Sequence, residues 1–99
     1  MSKLKLENKY KEFIVNTIKN IIPEVNIYIY GSRVKGTSQE YSDVDIALQA
    51  GIILPPEQLF QIKAVFQNSI FPYKVDIIDL NSISESFLNI IKNDMVKIN

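Results

Sequence analysis

The stretch YGSRVKGTSQEYSDVDIAL, residues 30–48, opens on Gly31-Ser32 behind an apolar run and closes with Asp43 and Asp45 inside another. The run before it, VNIYIY, is β-branched and aromatic and reads as a strand of about five residues that the Gly-Ser pair ends. SDVDIALQ alternates cleanly: Asp43, Asp45 and Ala47 face one way, Val44, Ile46 and Leu48 the other. Strand residues two apart share a face at about 6.5–7 Å, so two flexible carboxylates can converge on one point. Two anions converging on a mostly apolar sheet repel each other and lose hydration. A divalent cation offsets both costs, and ligation by oxygen alone points to Mg2+ or Mn2+.

KVDIIDL, residues 74–80, reads as a third strand and supplies a third carboxylate. Asp76 sits between Val75, Ile77 and Ile78. Asp79, three residues on, points to the opposite face of an extended chain and lies at the strand end, where an aspartate caps or turns. Asp76 is therefore the expected partner of Asp43 and Asp45. Gly31 lets the backbone come close to a ligand, and Ser32 offers a hydroxyl. A helical turn over Ser32–Lys35 would aim its N–H groups at an anion above the strand end, with Arg33 and Lys35 nearby as phosphate partners. A phosphate cradle beside a carboxylate cluster predicts phosphoryl or nucleotidyl transfer.

Outward from this centre, Leu6, Tyr10, Phe13, Ile14, Thr17, Ile18 and Ile21 recur at helical spacing, and Pro23 closes that helix. AGIILPPEQ is a loop whose Pro56 suits a first helical turn. The following helix carries Leu59, Ile62, Phe66 and Ile70 on one stripe, with Pro72 as its stop. NSISESFLNIIKN predicts a last helix with Ser82 and Glu85 as a capping box. MVKI predicts a short terminal strand. The order αβ(turn)βαβα defines an α/β fold, a small mixed sheet of three to four strands flanked by helices, in a single domain over residues 1–99. Tyr28 and Tyr30 read as sheet packing. Tyr10 and Tyr41 read as exposed and without an assigned role.

Composition narrows the chemistry. The 99 residues contain no cysteine and no histidine, which removes disulfides, thiolate chemistry, the usual zinc ligands and a histidine-based triad. Eleven basic and eleven acidic residues cancel, so no direct nucleic-acid binding is expected. No apolar run approaches the roughly 20 residues of a membrane span, and the N-terminus lacks a signal-peptide core, so the expected location is cytoplasmic.

Gly31-Ser32, ten intervening residues, then Asp43-Val44-Asp45 resembles the signature of the nucleotidyltransferase superfamily with the DNA polymerase β-like palm. The chain looks most like the minimal nucleotidyltransferases, the MNT antitoxins that partner a helical HEPN toxin. The likeness extends through VDIIDL to Asp76 and covers nearly the whole chain; Lys35 departs from it, standing where many relatives carry Arg. The resemblance implies that Gly31, Ser32 and Arg33 bind the nucleotide and that Asp43, Asp45 and Asp76 bind two Mg2+ ions, with ATP as substrate. It further implies that Asp76 assists deprotonation of the acceptor, a tyrosine hydroxyl on a HEPN-type toxin in a hetero-oligomer. Two other readings stay open: an antitoxin that neutralises its partner by docking alone, and a nucleotidyltransferase acting on a small molecule.

Overall fold

The computed structural model describes residues 4–37 and 42–99. Helix α1 spans Asn8–Ile21, strand β1 Asn26–Tyr30 and the short helix α2 Ser32–Lys35. Strand β2 spans Val44–Gln49, helix α3 Pro56–Gln67, strand β3 Val75–Asp79, helix α4 Glu85–Ile91 and strand β4 Val96–Lys97. The four strands form one mixed sheet in the order β3-β2-β1-β4. β1 runs antiparallel to both β2 and β4, while β2 and β3, joined through α3, run parallel. A parallel pair needs such a crossover, and a helix is its usual form.

Side-chain alternation divides the work of the two sheet faces. Ile27 and Ile29 of β1, Val44, Ile46 and Leu48 of β2 and Val75 of β3 form one core with Ile14 and Ile18 of α1 and Ile62 and Phe66 of α3. Eight of these side chains, Ile14, Ile18, Ile27, Ile29, Val44, Ile46, Leu48 and Ile62, are essentially inaccessible. Each contributes about 1.5–3 kcal/mol relative to exposure. On the opposite face Ile91 of α4 packs against Ala47 and Tyr30, with Tyr28, Ile78, Leu80, Ile83 and Met95 around them. Because α4 has only seven residues, it covers only part of that face.

Three expectations are corrected. α3 stops at Gln67, where Asn68 Nδ2 donates to the Ala64 carbonyl and Ser69 Oγ to that of Phe66. Ile70 is therefore off the helix and 94% exposed, not on its buried stripe. The N-cap of α4 is Ser84, which accepts from the Phe87 N–H at 3.2 Å; Ser82 instead donates to the Asp79 carbonyl. Tyr10 is half-buried, with its ring edge-on to Phe71 at 5.7 Å and to Tyr73 at 5.3 Å. Tyr41 lies outside the described residues.

Candidate active site

Register brings the carboxylates together. Asp45 pairs with Asp76 across the parallel β2–β3 ladder and with Tyr30 across the antiparallel β1–β2 ladder. Adjacent strands lie about 4.8 Å apart, so Asp45, Asp76 and Tyr30 stand side by side on the sheet face that α4 partly covers, with Tyr30 buried against Ile91. Asp43 precedes β2 by one residue. Asp45 and Asp43 are half-buried, and Asp76 is exposed.

Electrostatics records the crowding. Burial first, then the charges of Asp76 and Asp43, raise the Asp45 carboxyl above its ordinary value. Burial, then the charges of Asp45 and Asp76, push the Tyr30 phenol up to about 12, still further from ionisation at neutral pH. Among the described residues no three acids close into a ready-made metal cage, so the expected tight triad is a neighbouring pair with Asp43 within range of their charge. The donor set consists of carboxylate oxygens and hydroxyls, which suits a hard divalent cation.

Gly31 closes the site from below. It ends β1 with φ +81°, and a Cβ built there would overlap Oδ2 of Asp45 and stand 3.2 Å from its Cγ. Only glycine allows the backbone this near the carboxylate. The next residue starts α2, as expected, and its Ser32 side chain is half-buried beside the carboxylates' end of β1. Asp79, by contrast, faces the core: it is 2% exposed, accepts from the Leu54 N–H at 2.7 Å and from the Asn81 N–H at 2.9 Å. The strand-end role expected for it holds.

The two cations take other positions. Lys35 forms an exposed ion pair with Asp94 at 3.8 Å. Arg33, expected beside a phosphate, is 6% exposed; its Nη1 donates to the Lys5 carbonyl at 3.1 Å, its Nη2 to the Ser42 carbonyl at 2.8 Å. Its guanidinium lies 4.2 Å over the Tyr73 ring. Sequence reasoning missed this arrangement, and it missed the neighbourhood of Tyr30 and Asp45. The second was accessible in principle, since a hairpin folded at Gly31 and read with period two brings Tyr30 to the aspartate face.

Comparison with known proteins gives the family and the fold. Residues 8–98 match the family described as "Polymerase beta, Nucleotidyltransferase". This chain belongs to that nucleotidyltransferase family. A relative named "Probable protein adenylyltransferase MntA", from Haemophilus influenzae (strain ATCC 51907 / DSM 11121 / KW20 / Rd), is 36% identical over 86 residues, 86% of this nucleotidyltransferase and 75% of the relative. A crystal structure of a toxin-antitoxin with AMP-PNP superposes with a TM-score of 0.77 at 26% identity, covering 90% of this chain and 72% of the matched one. A structure of tri-AMPylated Shewanella oneidensis HEPN toxin in complex with MNT antitoxin shares the fold, with a TM-score of 0.74 at 22% identity over 95% and 72% of the two chains. No described helix of this nucleotidyltransferase is long and apolar enough to cross a membrane.

Proposed function

We propose that this chain is a cytoplasmic, Mg2+-dependent protein adenylyltransferase that moves AMP from ATP to a tyrosine hydroxyl of a HEPN-type toxin and thereby acts as its antitoxin. The observation that carries this reading is the in-register Asp45–Asp76 pair, open on one sheet face and closed from below by Gly31. The likeness to a protein named as an adenylyltransferase and to a toxin-antitoxin structure with AMP-PNP supports the nucleotide and the partner.

Gly31 and Ser32 hold the triphosphate. Their backbone approaches where any larger residue would displace Asp45. Asp43, Asp45 and Asp76 are the residues that would hold two Mg2+ ions, which when bound would neutralise phosphate charge and acidify the attacking hydroxyl. The tyrosine oxygen bonds to the α-phosphorus in line as the bond to the bridging pyrophosphate oxygen breaks. Pyrophosphate leaves with the electron pair. Asp76, the most exposed of the three acids, takes the phenolic proton and passes it to water. Tyr30 remains neutral beside them and so adds no further negative charge to the face.

The test is intact-mass measurement of the HEPN partner after incubation with ATP and Mg2+. Wild-type chain adds one or more AMP masses, and the Asp45→Asn/Asp76→Asn variant adds none. Modification by that variant at the wild-type rate contradicts the proposal. Neutralisation by wild type without any mass change would assign the effect to docking alone.

A further inference from the structure

We propose that Arg33 is a positioning residue that sets Asp43 and the Gly31-Ser32 turn relative to one another, by joining their two segments through the Ser42 carbonyl. The inference concerns the metal face on which the proposed activity rests, but its principal test is independent of transfer.

Arg33 lies two residues after Gly31, inside α2. Its guanidinium spans three segments from a buried position. Nη2 donates to the carbonyl of Ser42, whose peptide bond leads directly into Asp43. Nη1 donates to the Lys5 carbonyl, and the Lys5 N–H returns a bond to the Arg33 carbonyl at 2.7 Å, so the segment before α1 is fastened at both ends of the same residue. The cation stacks on Tyr73, whose ring is held edge-on by Tyr10 and Phe71. One residue beyond Tyr73, the Lys74 carbonyl accepts from the Val44 N–H at 2.9 Å, which ties the start of β2 to the start of β3 two residues before Asp76.

A planar fork flanked by carbonyls and laid on an aromatic face is a use to which lysine is ill suited. A lysine ammonium is a compact point charge that cannot keep both carbonyls and the stacking geometry. Groups that orient ligating carboxylates contribute to metal affinity although they never touch the ion, and their loss typically costs about 10- to 100-fold. Arg33 acts one step further back, on the Ser42 carbonyl whose peptide leads into Asp43. A role as a phosphate ligand does not fit a guanidinium 6% exposed with both terminal nitrogens on backbone carbonyls.

The experiment titrates Mn2+ in the presence of α,β-methylene-ATP, from which AMP cannot be released, into wild type, Arg33→Lys, Asp43→Asn and Ile62→Val. Ile62→Val, a mild substitution in the buried core, controls for general destabilisation. Arg33→Lys is expected to weaken Mn2+ binding about tenfold, toward the Asp43→Asn value, while Ile62→Val stays at wild type. Wild-type Mn2+ affinity in a folded Arg33→Lys protein overturns the proposal, as does equal weakening in Ile62→Val, or the absence of Mn2+ binding by wild type. If Arg33→Lys does not fold, Tyr73→Leu, which removes the ring under the guanidinium and keeps the arginine, is measured in its place with the same two outcomes. In the transfer assay Arg33→Lys lowers kcat at subsaturating metal and leaves the KM for the acceptor protein unchanged. A wild type that binds Mn2+ but transfers no AMP would defeat the adenylyltransferase reading and leave the role of Arg33 standing.

Discussion

At Gly31 the backbone passes so near Asp45 that the two residues share one volume. Gly31→Ala meets two costs. Its φ of +81° with ψ −148° is a backbone region essentially restricted to glycine, costing an L-residue about 1–3 kcal/mol, and its methyl would displace the Asp45 carboxylate. Gly36, at φ +80° and ψ 13°, carries only the milder left-handed cost, and a Cβ there meets nothing within 4 Å, so it serves as a control for positive φ alone. Both alanine variants are expected to melt a few degrees lower. Only Gly31→Ala should lose transfer, by about 100-fold, the scale of a 1 Å misplacement of a reacting group. Equal activities in the two variants would detach Gly31 from the site.

Asp45 itself opposes stability. Burial and the charges of Asp76 and Asp43 raise its carboxyl, so the folded state holds its proton more tightly than the unfolded chain does. Stability from this group is full below the ordinary value of 3.8 and is lost as pH rises through the raised folded value. Asp45→Asn is therefore expected to melt higher than wild type at pH 7, with the advantage vanishing below about pH 4. Melting curves at the two pH values check this, and a variant less stable than wild type at pH 7 would contradict it. Neutralising the charge is expected to remove activity while relieving the fold, the trade expected of an acid kept for its chemistry.

Among the elements, β3 shows two aspartates with opposite duties. Asp76 faces the open side, whereas Asp79, on the core side, anchors the β2–α3 connection at Leu54 and the turn at Asn81. Asp79→Ala leaves the buried Leu54 N–H without its acceptor and should destabilise by about 1–3 kcal/mol in denaturant unfolding. Once folded, the variant should transfer AMP at the wild-type rate, since Asp79 lies on the other face of the sheet. This division was legible in the sequence because strand periodicity fixes it. Other details were not. Ser82, Ser84 and Ser86 are equally spaced ahead of one apolar pattern, and only the turn built on Asp79 decides that Ser84 is the cap. Ile70 matched the α3 stripe in spacing, yet local bonds from Asn68 and Ser69 end the helix first.

At the scale of the whole molecule, one face of the sheet is sealed by α1 and α3 and the other is half open beside α4. The helices, the strands and the carboxylate face followed from period and turn chemistry. That Asp76 joins Asp45 was expected, but its register directly opposite Asp45 depends on the parallel β2–β3 crossover, which local pattern does not specify, and the burial of Arg33 needed contacts from Lys5 to Tyr73 across the fold. The open half is where a nucleotide and a partner's side chain can meet the acids from solvent.

The most direct test of that arrangement is paramagnetic line broadening in the NMR spectrum of the isotope-labelled chain as Mn2+ is added. The amides of Gly31, Ser32, Val44, Asp45 and Asp76 should broaden first and together. Broadening centred instead on outlying acids such as Glu12 or Glu57, with the Asp45 and Asp76 amides still sharp, would contradict the account.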